Sequence, residues 1–192
     1  MLILILGLIV FFASHSAGIF APLWRQKTME RIGMAPFMAA SGVFSLIGLA
    51  IIVAGIALAR QEPVVLRIPS LGERHAALGL NLLAFLLLGL FAVPFGRLRA
   101  WIGHPLLLSI ILWASAHLLA NGLLAHVVLF GSFLLWAVAD LVQKLRQSAP
   151  VPSKNPPRGV VYDLSGLGLG LGLYLAVIFY LHPWLIGVSP LP

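Results

Sequence analysis

The feature that most constrains this chain is a succession of apolar runs, several of them longer than the ~18–20 residues that carry a helix across a bilayer core. The first is MLILILGLIVFFASHSAGIF, residues 1–20, and the most extended runs from His104 to Asp140. As a single helix of ~1.5 Å per residue, that run would far exceed a ~30 Å hydrocarbon core. It must turn, and Asn121-Gly122 is the expected place, with Gly122 in the left-handed conformation that ends a helix. The hydropathy then predicts six spans, at 2–23, 36–59, 76–95, 103–120, 123–143 and 164–185. Composition agrees: 61% of residues are hydrophobic and 9% charged, against ~45–50% and ~25% in soluble domains. The expected fold is all-α, a polytopic transmembrane bundle forming one integral membrane domain over 1–192, with almost no chain left for a soluble one.

His104-Pro105 opens the fourth span, since proline at the first helical position loses no hydrogen bond. The segment QSAPVPSKNPPRG (147–159) is polar and proline-rich, so it reads as a loop. The first run lacks a Lys/Arg n-region and a convincing cleavage site, so it reads as a retained span rather than a signal peptide. The net charge of +7 would suggest nucleic acid in a soluble protein. Here no basic stripe with interleaved aromatics supports that, and no nucleic-acid partner is expected. The cations sit in connections, where they set topology and meet anionic headgroups. Nine of the 12 lie after spans one, three and five: Arg25, Lys27, Arg31, Arg97, Arg99, Lys144, Arg146, Lys154 and Arg158. Arg60, Arg67 and Arg74 lie on the other side. The positive-inside rule places the larger group in the cytoplasm and both termini outside it.

SGLGLGLGLY (165–174) has no preceding strand and lacks the G-x-G-x-x-G spacing of a nucleotide loop. On a helix it makes two overlapping G-x-x-x-G pairs, Gly166/Gly170 and Gly168/Gly172, which permit close helix contact in lipid. Ser41 and Ser45 form a weaker small-residue seam.

Polar residues inside these runs need a reason to be there. Ser109, Trp113, His117 and Asn121 recur every four residues, which on a helix makes one slanted stripe. Polar atoms in hydrocarbon are costly without partners, so the stripe should face other helices, a cofactor or a small wet cavity. His117 and Asn121 read either as hydrogen-bonded bridges between helices or as a metal or haem ligand with its supporting residue. His15, flanked by Ser14 and Ser16 in the first span, carries the same two readings. His104 is accounted for by capping or interfacial placement. His182, beside Tyr180 and Trp184 near a span end, reads as an interfacial anchor. His75 belongs at the headgroups. His126 and Asp140 lie near opposite ends of one span and cannot form one site.

Much chemistry is excluded. With no cysteine, disulfides, iron–sulfur clusters, zinc–thiolate sites and covalent haem attachment are ruled out, so any haem is non-covalent. The five acidic residues, Glu30, Glu62, Glu73, Asp140 and Asp163, make no intramembrane pair for two-carboxylate hydrolysis. There is no H-E-x-x-H and no G-x-S-x-G.

Three stretches resemble the NnrU family of bacterial membrane proteins: ASHSAGIFAPLWRQKTMERIGMAPFMAASGVFSLIGL (13–49), HPLLLSIILWASAHLLANGLLAHVVLFGSFLLWAVAD (104–140) and LHPWLIGVSP (181–190). The specific element is His-Pro, then Trp-x-x-x-His-x-x-x-Asn-Gly, then Phe-Gly-x-x-x-x-Trp-Ala. The resemblance implies a bacterial inner-membrane protein associated with nitrite and nitric oxide respiration. It also implies kinship with the membrane isomerase of 15-cis-ζ-carotene, which binds b-type haem and changes its ligation with redox state. By motif position, His117 matches a haem-ligand histidine, His15 its partner and His104 the His-Pro histidine, with Trp113 and Asn121 shaping the pocket. If His117 is a haem ligand, the different depths expected for His15 and His117 make His182 a competing partner. The isomerase branch has a cysteine where this chain has Ala114, so a histidine-to-cysteine ligand exchange is not open to it. The implied cofactor is haem b. The implied substrate is a small lipophilic molecule or a nitrogen oxide, the implied role is redox or isomerase chemistry, and an unidentified redox partner would serve it. No catalytic residue is assigned. Two other classes stay open: a non-enzymatic transport or accessory protein for denitrification, and a membrane methyltransferase with a loosely similar His-Pro architecture. Against the methyltransferase stand the lack of acidic residues after Asp163 and of a cytosolic cofactor-binding extension.

Overall fold

The computed structural model describes residues 1–146 and 159–191. Residues 147–158 of the predicted loop, with Lys154 and Arg158, lie outside the described residues. The helices are α1 (Leu2–Phe20), α2 (Pro22–Ile32), α3 (Met34–Ala59), α4 (Leu71–Ala92), α5 (Arg97–Ile102), α6 (Pro105–Ala120), α7 (Leu124–Arg146) and α8 (Val160–Ala176), followed by a π-helical turn (Val177–Leu181) and α9 (His182–Ile186). Among the described residues β pairing is limited to one isolated antiparallel bridge, Val65 to Leu123, and the rest outside the helices is turn and irregular chain.

Five of these segments are long and apolar enough to cross a membrane: α1, α3, α4, α7 and the continuous stretch Val160–Ile186. The predicted fourth span, α6, has only 16 residues, which at ~1.5 Å each gives ~24 Å, short of a ~30 Å core.

Proline explains most of the shifted ends. The first span stops at Phe20 rather than 23 because Pro22 forces its predecessor out of the helical region, and Ala21 sits at φ −139°, ψ 54°. Helix then restarts at once, so the connection read as a loop is α2. In the same way Val93, ahead of Pro94, is extended at φ −99°, ψ 105°, ending α4 at Ala92. That helix starts at Leu71 rather than 76. Ser70 Oγ accepts from the Glu73 N–H at 3.3 Å, and the Glu73 carboxylate accepts from the Ser70 N–H at 2.7 Å, a complete capping box. His75 therefore lies one turn inside the helix, and it is exposed. In the last span, the π turn precedes Pro183, and the His182 N–H bonds Val177 O, five residues back. The wider turn accommodates a proline that would otherwise collide with the preceding carbonyl.

The chain divides into two compact units. In the first, Met1–Leu66 with Leu123–Ser132, α1 packs antiparallel on α3. A Cβ placed on Gly55 would meet Leu4, on Gly7 would meet Ile52, and on Gly48 would meet Phe11, all at backbone atoms 2.5–2.6 Å away. Ser14 Oγ and Ser45 Oγ extend this line at 2.9 Å, while Ser45 Oγ also donates to Ser41 O. Ser45 thus meets α1, as its seam suggested.

In the second unit, Arg67–Gly122 with Phe133–Pro192, α4 packs against both α6 and α8. Gly166 and Gly170 meet the α4 backbone at Gly89, Leu90, Phe85 and Leu86, whereas Gly168 and Gly172 have nothing within 4 Å of an added Cβ. Only the first of the two predicted G-x-x-x-G pairs is a packing surface. Two helix ends are closed from a distance. The Asp163 carboxylate, 5% exposed, accepts from the Leu98 N–H at 2.9 Å and so caps α5. The Arg99 guanidinium donates to Phe91 O at the end of α4 and lies over the Phe91 ring, 5.2 Å from its centroid.

Candidate functional site

The polar stripe on α6 is stitched to backbone along its length. Ser109, 6% exposed, donates from Oγ to Ala84 O on α4 at 2.8 Å, a bond between helices. His117 Nδ1 lies 2.8 Å from Trp113 O, one turn back in the same helix. A carbonyl oxygen only accepts, so Nδ1 carries the proton and Nε2 of the neutral ring carries the lone pair. Asn121 Nδ2 donates to His117 O at 2.8 Å, tying off the last turn. The Trp113 ring lies 5.0 Å from the imidazole and meets Phe133 edge-on at 5.5 Å. His117 is half-buried among these aromatic rings.

The turn after α6 differs from expectation. Its C-cap, Asn121, is extended at φ −123°, ψ 147°, and Gly122 is not among the positive-φ residues. Glycine is required there because the backbone of Arg67 comes too close for a Cβ, with the Arg67 N–H donating to Gly122 O at 3.3 Å. Arg67 does more than set topology. Its guanidinium donates to Leu118 O and Leu119 O at 2.8 and 2.5 Å, and pairs with Glu73 at 2.6 Å. It satisfies carbonyls that the end of α6 leaves open.

His15, in the first unit, is exposed on α1. Its Nδ1 lies 2.9 Å from Phe11 O, with Ser14 Oγ at 3.1 Å, and the Phe11 ring stacks on it at 4.4 Å. The tautomer argument for His117 holds here too. His182 Nδ1 donates to Val188 O at 2.7 Å, fastening the segment after α9. His104 is the N-cap residue of α6, but its side chain makes no capping bond, so the capping explanation fails. Pro105 is in the first helical turn as expected. His126 meets Phe130 edge-on at 6.1 Å, while Asp140 pairs with Lys144 at 2.9 Å.

One polar residue escaped the sequence reading. Asn81 lies in the middle of α4, three residues from each of two carbonyls that accept hydroxyls: Leu78 O from Tyr174 at 3.0 Å and Ala84 O from Ser109. Its Oδ1 is buried without a hydrogen-bond partner among the described residues. The signal was a lone amide in an apolar run.

The residues suit an imidazole-ligated group. A histidine that ligates a metal is oriented when its second nitrogen is held by an acceptor, as His117 and His15 each are, and Trp113 and Phe133 would give such a group apolar, aromatic surroundings beside His117. No group of three or more His, Cys, Asp or Glu side chains suited to a metal ion occurs among the described residues.

Five apolar segments of spanning length, glycine-mediated helix contacts and a polar stripe inside an apolar helix define an integral, multi-pass helical membrane protein. The chain belongs to the NnrU family: the family model described as NnrU protein matches residues 3–190, nearly its whole length. No curated relative and no solved structure matches it.

Proposed function

We propose that this NnrU-family protein binds b-type haem through His117 and serves a redox or isomerase role on a small lipophilic or nitrogen-oxide substrate. It would sit in the bacterial inner membrane with both termini outside the cytoplasm. The observation that carries the reading is the His117 Nδ1 to Trp113 O bond of 2.8 Å. It holds the ring at one orientation and leaves Nε2 as the basic nitrogen, the state in which an imidazole would hold the haem iron. Bound haem would supply a one-electron redox change and a coordination position governed by its ligands. The chain's own part is to hold the imidazole. Asn121 ties the last turn of α6 beneath it, Arg67 holds the neighbouring carbonyls, and Trp113 and Phe133 give it an apolar wall. His15 meets the same chemical requirement in its own unit and is the candidate second ligand.

The test is the absorption spectrum of protein purified after expression with ample haem supply. Stoichiometric haem with a Soret band is expected. His117→Ala should lose or strongly alter the band while the protein still inserts. His15→Ala should move the spectrum from six-coordinate low-spin toward five-coordinate high-spin, and His75→Ala and His126→Ala should do neither. Wild-type protein that purifies without haem overturns the ligand assignment. His117 and Asn121 then have structural roles, and their loss costs stability, ~0.5–1.5 kcal/mol each, rather than colour.

A further inference from the structure

We infer that α2 is a binding site for the phosphate headgroups of anionic lipids, built from Trp24, Lys27 and Arg31. As a loop, residues 22–32 would have no defined face. As a helix, they place Trp24, Lys27 and Arg31 at offsets of three, four and seven residues, which is one side of the cylinder. None of the residues of α2 is buried, and Trp24 is 57% exposed. All three side chains of the stripe are exposed. Glu30 is three residues from Lys27 and so borders this face, but its carboxylate accepts from Gln26 at 2.9 Å, and among the described residues the ion pairs are Arg67–Glu73 and Lys144–Asp140. Arg25 is turned elsewhere, over the Phe37 ring at 5.7 Å.

The position of α2 in the chain says what it meets. It is joined to α1 by Ala21 alone and to α3 by Gly33 alone, and both neighbours are of membrane-spanning length. A helix tethered so closely between two spans is held at the level where they leave the hydrocarbon. Its Trp24 ring meets Phe37 of α3 edge-on at 6.3 Å, so the indole is anchored at that level, where tryptophan prefers to sit. Lys27 and Arg31 are one turn apart, a spacing that presents two cations to headgroup phosphates. Arginine grips phosphate with its fork and lysine adds a point charge. Attraction of this kind is worth a few-fold in affinity per cation near an anionic surface and fades with salt.

The experiment uses the full-length protein, delipidated into neutral detergent and titrated with phosphatidylglycerol or phosphatidylcholine, with bound lipid counted by native mass spectrometry. Phosphatidylglycerol should be retained in preference. Lys27→Gln with Arg31→Gln should weaken that retention about thirtyfold at low salt, and Trp24→Ala should weaken it further. The charge-keeping pair Lys27→Arg with Arg31→Lys should preserve it. Removing two charges elsewhere, Arg60→Gln with Arg74→Gln, should leave it nearly unchanged. Equal retention of the two lipids, or equal loss from both charge-removing pairs, overturns the site. Displacement of the lipid by millimolar inorganic phosphate overturns its assignment to lipid headgroups.

Discussion

Gly170 and Gly172 are two residues apart in one repetitive stretch, yet a side chain at the first would enter α4 and at the second would meet nothing. In lipid, where burial of apolar surface gives helices little reason to associate, such close backbone contact is a main source of cohesion. Gly170→Val should therefore destabilise the protein by about 1–3 kcal/mol through overpacking, read as a lower thermal unfolding temperature in detergent. Gly172→Val should shift it little. Equal shifts would mean that α8 does not present this face to α4.

At the scale of the element, the end of α6 depends on a residue 51 and 52 positions earlier in the chain, since Arg67 holds the carbonyls of Leu118 and Leu119. Those groups have no partner within the helix, and a cation there also suits the negative end of the helix dipole. Arg67→Gln should fray the last turn, seen as faster hydrogen–deuterium exchange of the amides from His117 to Asn121. Glu73→Gln, which removes the carboxylate that steadies the guanidinium, should act in the same direction but less. Unchanged exchange in Arg67→Gln would show that Asn121 closes the turn alone. If His117 ligates haem, the Arg67 variant should also broaden the Soret band, because it loosens the turn that carries the imidazole.

At the scale of the whole molecule, the nine-to-three division of Lys and Arg between alternate connections predicts orientation. The chain has no cysteine, so single cysteines report cleanly. Gln26→Cys on α2 should be shielded from impermeant thiol reagents in intact cells and label after permeabilisation. Gln61→Cys, beyond the other end of α3, should label in intact cells. The reverse pattern would invert the proposed topology.

Sequence alone determined the class of fold, because uninterrupted apolar runs of bilayer length leave helices as the solution that satisfies every backbone group. It also determined the stripe on α6, since a period of four survives whatever packs against it, and the break after Asn121, since no core is thick enough for one helix. The helix starts were partly legible: Ser70-x-x-Glu73 is a capping box in plain sight, and Pro22 and Pro94 mark ends by local sterics. What tertiary structure decided were the pairings. Nothing in GLGLGLG says which glycines face α4, because both pairs have the same spacing and only the neighbour's backbone distinguishes them. Gly122 was expected as a glycine of unusual conformation and proved to be a glycine of close approach, a role that depends on where Arg67 lies. Arg67 counted as one charge among 12 until its distance to two carbonyls made it a cap. Local periodicity is written in the order of residues. Contact between residues far apart is a property of how helices cross, and no spacing encodes it.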